Sequence, residues 1–317
     1  MARHTNGGPG ATGRRMVTDG GMETDLIFHR GVDLPHFAAF PLLDGGRGRQ
    51  LLTGYYAGYA TVARAAGAGL MLEAPTWRAH PDWGPPLGYD DAALARVNRD
   101  AIAFLGTLRD RFAVDTGPVV VAGMVGPRGD GYAADATMTV EEAASYHRPQ
   151  IRAFADAGAD MVCAYTLTYA EEAVGIVRAA DEAGLQVAVS FTVETDGRLP
   201  SGTLLAEAVE IVDEIAAPSH FLVNCAHPRH VRRALETPGD WRARIRGLRY
   251  NASAKSHAEL DEATELDEGS PGELAGEHAR LAALLPRLEV LGGCCGTDAR
   301  HVAALWGVSG AAGNGAP

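Results

Sequence analysis

Four cysteines occur in the 317 residues, and three of them stand where chemistry is possible. Cys225 lies in HFLVNCAHP (His220–Pro228), and Cys294 and Cys295 are adjacent in LEVLGGCCGT (Leu288–Thr297). Both stretches read as buried strands that end at the cysteines. Thiolates are strong, soft ligands for zinc, and three protein ligands with a fourth position open is the pattern of a catalytic site. Neighbouring side chains on a regular strand point to opposite faces, so Cys294 and Cys295 can share one ion only if the strand breaks there. Gly292, Gly293 and Gly296 permit such a bend. Core packing, a nucleophilic thiol and a strained vicinal disulfide are the other readings of these cysteines. Cys163, inside MVCAYTLT, reads as core.

The elements that must position these residues alternate along the chain. The apolar, strand-like runs are Met16–Gly21, Gly69–Pro75, Val119–Pro127, Met161–Thr168, Gln186–Val193, His220–Pro228, Arg244–Ser253 and Leu288–Thr297. Helical stretches such as LLTGYYAGYATVARAAG, DAALARVNRDAIAFLGTLRDRF, TVEEAASYHRPQIRAFADAG and EEAVGIVRAADEAG separate them. Endings of the AAG, DAG and EAG kind are helix C-caps. Eight strands, each followed by a helix, predict a single α/β domain, a (β/α)8 TIM barrel with the metal site at the C-terminal ends of strands six and eight. Continuous apolar strands fit a parallel sheet buried on both faces. A doubly wound sheet is the rival, but no G-x-G-x-x-G follows any strand. Near the N-terminus GPGATGR lacks the lysine of a phosphate loop. The expected organisation is a flexible leader over 1–15, the barrel over 16–308 and a flexible tail over 309–317.

Composition narrows the function. A formal net charge of −12 argues against a nucleic-acid or anionic-membrane surface. No apolar run approaches the roughly 18–20 residues of a membrane helix. Few cysteines and no signal-peptide pattern point to a reducing, cytoplasmic setting and small-molecule substrates.

In such a barrel the strand C-termini face the active site. Strand one ends in Asp19-Gly20-Gly21 with Glu23 just beyond, and strand two in Glu73 with Thr76 and Trp77 following. Strand four ends in Tyr165-Thr166, strand five leads to Glu194 and Asp196, and strand six carries Asn224 before Cys225. His227 and His230 read as loop or helix-cap residues. His257-Ala258-Glu259 has the H-x-E of zinc deaminases without the P-C-x-x-C that should follow. The acidic stretch AKSHAELDEATELDEGSPGE reads as a solvated loop.

The combination DGGMET, VNCAHP and GGCCGT resembles the homocysteine S-methyltransferase family, a group of zinc barrels, over about Val17 to Leu305. The resemblance implies that Cys225, Cys294 and Cys295 ligate Zn2+. It further implies that Asp19 holds the substrate ammonium, that Gly20 and Gly21 lie against the amino-acid moiety, and that Glu73, Thr76, Thr166 and Asn224 belong to the substrate site. Where the family often has glutamate before threonine at the end of strand four, this chain has Tyr165. A tyrosine carries no charge near neutral pH.

The function expected from this resemblance is methyl transfer from a small onium donor to the zinc-bound thiolate of homocysteine, giving methionine. S-methylmethionine and S-adenosylmethionine stand ahead of a betaine as the donor. Trp77, Trp83, Tyr89 and Tyr165 are candidates to face the onium cation. Two alternatives are a zinc barrel methyltransferase or demethylase acting on another thiol or selenol, and a metal-free hydrolase or lyase using Glu73, Glu194 and Asp196.

Overall fold

The computed structural model describes residues 13–134 and 137–309. The leader and tail expected for 1–15 and 309–317 fall outside these residues except for 13–15 and 309. Eight parallel strands close into a barrel in sequence order. They are β1 (Met16–Val17), β2 (Gly69–Glu73), β3 (Val119–Val125), β4 (Met161–Leu167), β5 (Gln186–Phe191), β6 (His220–Ala226), β7 (Ile245–Tyr250) and β8 (Val290–Gly293). Closure is made by β1 on β8, with Met16 opposite Val290 and Val17 opposite Leu291. The TIM-barrel expectation holds.

A helix follows each strand: α1 (Gly46–Ala65), α2 (Asp91–Phe112), α3 (Val140–Asp156), α4 (Ala170–Ala183), α5 (Leu205–Ile215), α6 (Pro228–Ala234), α7 (Pro271–Ala282) and α8 (Ala299–Leu305). Local chemistry sets their ends. The Asp90 side chain accepts from Ala93 N–H to start α2, and Thr139 and Glu142 form a reciprocal capping box on α3. His227 caps α6, accepting from Arg229 N–H. Among the described residues no helix is long and apolar enough to cross a membrane.

Two cores result. Met16, Met71, Val120, Ala122, Met161, Cys163, Ala188, Leu222 and Val290 pack together as one buried cluster inside the barrel. Cys163 is a free, buried thiol in this cluster, as expected of a core cysteine. A larger cluster holds residues of the strands and the helices. β1 is much shorter than the Met16–Gly21 run suggested. Beyond Val17 the chain turns to bring Asp19–Gly21 against β8: Gly293 N–H donates to Asp19 O, and Gly21 N–H to Thr297 O.

Candidate active site

Cys225 is the penultimate residue of β6 and sits at φ 52°, a left-handed conformation that costs a non-glycine residue about 1–3 kcal/mol. The strand slips register here, between Asn224 and Ala226. Three donors hold the strained peptide by its carbonyl: His257 Nε2 at 2.7 Å, Asn251 Nδ2 at 3.1 Å and Thr192 Oγ1 at 3.3 Å. The other ring nitrogen of His257 pairs with Glu194 Oε1 at 2.7 Å. A matching irregularity occurs in β4, where Thr166 has φ 63°. Asn224 laces the two together: its Oδ1 accepts from Thr166 N–H and Ser190 Oγ, and its Nδ2 donates to Thr166 Oγ1.

β8 stops at Gly293, and Cys294 and Cys295 lie in the turn that follows. Cys294 N–H donates to Tyr250 O at 2.7 Å, and Cys294 O accepts from Thr297 Oγ1 at 2.8 Å. Gly296 completes the turn at φ 77°, where a side chain would be strained. Gly21 admits the close approach of the first-strand loop, since a Cβ there would lie 2.5 Å from Cys294 O. The break expected between the adjacent cysteines and their strand is therefore present.

The result is a cluster of three sulfurs whose atoms all lie within 4.8 Å of one another. Among the described residues it is the one group of three or more His, Cys, Asp or Glu side chains placed to share a metal ion. Cys225 and Cys295 sulfurs are 3.8 Å apart, and Cys225 and Cys294 sulfurs are in direct contact, assigned as a disulfide. Ligation of a metal requires that pair as thiols. Burial raises the pKa of Cys295. The Tyr132 hydroxyl reaches both Cys295 Sγ, at 3.5 Å, and Cys225 Sγ, at 3.9 Å, while its ring stacks on His257 at 4.1 Å.

Beside the sulfurs lies a buried charge network. The Arg249 guanidinium, on β7, donates to Asp19 Oδ1, Glu73 Oε2, Gly20 O and Gly293 O. Tyr165 donates its hydroxyl to the other oxygen of Glu73 and offers its ring to Arg249, 4.8 Å from the guanidinium carbon. Tyr55 donates to Asp19 Oδ2 at 3.1 Å. Burial opposes the Arg249 charge, but Glu73 and then Asp19 outweigh it and raise its pKa. Burial pushes Asp19 up to about 7, against the pull of Arg249. Two carboxylates and one guanidinium leave one net negative charge. A third carboxylate at position 165 would have made it two, which is a physical reason for the tyrosine.

A cavity of about 450 Å³ opens over both groups. Asp19, Gly20, Gly21, Tyr165, Thr166, Asn224 and the three cysteines line it. Glu73 and Thr76, both fully buried, are not in its wall: Glu73 is behind Asp19 and Tyr165 in the network, and Thr76 Oγ1 donates to Met124 O at 2.7 Å. The aromatic candidates for an onium contact are already engaged. Trp77 and Trp83 stack on Arg78, Tyr165 faces Arg249, and Tyr89 packs on Phe40 and donates to Asp44. Glu73, Glu194 and Asp196 do not converge: Glu194 pairs with His257, Asp196 accepts from Arg198 N–H in a turn, and none lines the cavity.

The acidic stretch after β7 is not simply a solvated loop. It forms a short helix, His257–Asp261, capped by Ser256 and Glu259, and places Leu260, Asp261, Glu265, Leu266 and Asp267 in the cavity wall. The Ser-x-x-Glu capping box was its visible signal. The reading of the sequence also passed over Arg249, Tyr132 and Arg78. An arginine at the C-terminal end of the strand RIRGLRY, where a barrel strand meets its active site, was the signal for the first.

The profile of the family described as Homocysteine S-methyltransferase matches residues 16–307. The chain belongs to that family. Its similarity to individual members is distant. It is 26% identical to the Homocysteine S-methyltransferase of Escherichia coli strain K12 over 262 residues, covering 76% of this chain and 79% of the relative. It is 25% identical to Homocysteine S-methyltransferase 2 of Zea mays over 323 residues, covering 93% of this chain and 90% of the relative. Among solved structures, the metallated form of the homocysteine methyltransferase MmuM from Escherichia coli superposes with a TM-score of 0.71 at 22% identity, over 93% of this chain and 96% of that one. Family membership makes the protein an S-methyltransferase enzyme on a TIM barrel, with a cysteine cluster able to hold a metal.

Proposed function

We propose that the protein methylates the thiol of homocysteine, giving methionine, with zinc held by Cys225, Cys294 and Cys295 and a small onium compound as donor. The observation that carries this reading is the convergence of three sulfurs from β6 and the β8 turn on one point of the cavity. Their chemistry fits zinc. Three thiolates are a soft donor set, and tetrahedral ligation with bonds of about 2.3 Å separates sulfurs by about 3.8 Å. Cys225 and Cys295 already stand 3.8 Å apart. Bound zinc would supply deprotonation of the acceptor thiol at neutral pH, which an ordinary thiol of pKa about 8.5 does not reach alone.

The chain's own residues align the partners. Asn224, which donates to Cys294 Sγ at 3.9 Å, and the donors on the Cys225 carbonyl position the strand ends that carry the ligating cysteines. Asp19, locked by Arg249 and Tyr55, faces the acceptor ammonium from a network of net charge −1. Gly20 and Gly21 bring bare backbone to the amino-acid moiety. In the reaction a sulfur–carbon bond forms at the acceptor as the onium–methyl bond breaks; the thiol proton goes to solvent and the donor leaves as a neutral thioether. The acidic wall of Glu23, Asp130, Asp261 and Glu265 favours a cationic donor. S-methylmethionine or S-adenosylmethionine is our choice of donor.

The test is zinc quantification on reduced protein, followed by methionine formation from homocysteine with each donor and with a betaine. Stoichiometric zinc and turnover with a sulfonium donor are expected. Turnover undiminished in chelated, zinc-free protein would refute the reading.

A further inference from the structure

The cavity wall contains two cations, Arg78 and Arg249. Arg249 is saturated: two carboxylates and two backbone carbonyls take its donors. Arg78 is different. Among the described residues its guanidinium has no hydrogen bond or ion pair within 4.0 Å, and its Nε is buried without a partner. It stacks on two indoles, with its guanidinium carbon 3.7 Å from the Trp83 ring centre and 4.5 Å from that of Trp77. Trp77 is itself tied down by its indole N–H to Tyr165 O at 3.4 Å. Stacking occupies the faces of the guanidinium and leaves its in-plane N–H edge to bind a planar anion. Asp130, Glu23 and Asp261 line the same cavity, act electrostatically on Arg78 and repel an anion, so among the cavity's cations it is the uncommitted Arg78 that can hold one. Arg78 is half-buried, and its buried, unpartnered Nε carries a desolvation cost that a ligand bound at the guanidinium can offset.

We propose that Arg78 recognises the α-carboxylate of an amino-acid substrate, making it the residue that selects carboxylate-bearing thiols or sulfonium donors over their decarboxylated analogues. The proposal rests on the reading of the cavity as the site of methyl transfer between amino acids. It places the carboxylate at the Trp77–Arg78 stretch of the cavity wall, with Trp83 packed on Arg78. The same chemistry could come from the acceptor or from the donor, and the arms of the test separate them.

Reduced, zinc-loaded full-length protein and its Arg78→Met and Arg78→Lys variants are titrated calorimetrically with two pairs of probes. The acceptor pair is homocysteine and 3-aminopropane-1-thiol; the donor pair is S-methylmethionine and (3-aminopropyl)dimethylsulfonium. Loss of a charge-assisted contact in Arg78→Met weakens the carboxylate-bearing member of one pair by about 10- to 100-fold. Its decarboxylated counterpart binds wild type and variant alike, which also shows that the variant is folded, and Arg78→Lys recovers part of the loss. The pair that responds identifies the source of the carboxylate. In turnover the same loss falls on KM rather than kcat. Equal losses for both members of each pair, or no loss in either, overturn the assignment. Binding is read without chemistry, so a wild-type protein that discriminates by carboxylate yet makes no methionine would refute the methyl-transfer reading and leave Arg78 standing.

Discussion

Replacing Arg249 by methionine probes the least visible part of the site. The guanidinium is 5% exposed and holds Asp19 and Glu73, which are 2% and 0% exposed. Methionine keeps most of the stem's packing but leaves two buried carboxylates facing each other. Breaking a buried ion pair by removing one partner costs about 3–5 kcal/mol, a large share of a typical stability of about 5–15 kcal/mol. The loss should depend on pH, and its sign follows from the carboxylates. Without Arg249 the folded-state pKa of Asp19 rises further above its unfolded value, so the native state binds more protons than the unfolded one and stability falls as pH rises. Asp19 starts from about 7 even with Arg249 in place. Urea unfolding of the reduced protein at pH 8.0 and pH 5.5 measures this. The variant should lose about 3–5 kcal/mol at the higher pH and recover about 1–2 kcal/mol of that at the lower. Adding Glu73→Gln, which removes one of the opposed charges, should restore a similar part at pH 8.0. A variant as stable as wild type at pH 8.0, or a deficit indifferent to both pH and Glu73→Gln, would refute the charge network.

Other substitutions test neighbouring links. Cys225→Ala should abolish metal retention and methyl transfer together while the far-ultraviolet circular dichroism spectrum is kept; metal analysis and a methionine assay check it. Asn224→Ala removes the lacing between β4 and β6 and should cost about 2–3 kcal/mol in thermal or urea unfolding. Tyr165→Phe deletes a hydrogen bond to Glu73 and should destabilise by about 1–2 kcal/mol without loss of metal. Burial first, then Arg246 and Arg244, pushes the pKa of His220 down to about 3. The unfolded chain protonates this histidine near pH 6.5, so its contribution is intact above that pH and lost as pH falls, by about 2 kcal/mol between pH 6.5 and 5. A His220→Leu variant should show a correspondingly flatter acid limb in its stability profile.

The barrel was legible because its signals are local. The run DAALARVNRDAIAFLGTLRDRF coincides with α2 from Asp91 to Phe112, since its apolar period lies within it and its cap, Asp90, stands immediately before it. Cys294 and Cys295 were legible because Gly292, Gly293 and Gly296 mark the strand break there, whereas the break at Cys225 carries no glycine to announce it. Arg249 was not, because its partners Asp19 and Glu73 lie 230 and 176 positions away, and only barrel closure brings them together. The same holds for the two carboxylates themselves. Asp19 and Glu73 read as free carboxylates in sequence, whereas in the fold one is clamped in the wall and the other withdrawn behind it. The segment after β7 was only partly legible because its acidity suits both solvent and the cavity wall that Asp261, Glu265 and Asp267 help to form; composition alone does not separate the two.

The central claim, that three sulfurs gather one zinc and leave a place for an incoming thiol, is tested most directly by sulfur-sensitive X-ray absorption at the zinc edge, before and after homocysteine. The account predicts three sulfur neighbours at about 2.3 Å in the reduced protein and a fourth once homocysteine is added. Four protein ligands that do not change on adding homocysteine, or zinc bound equally well by Cys225→Ala, would contradict it.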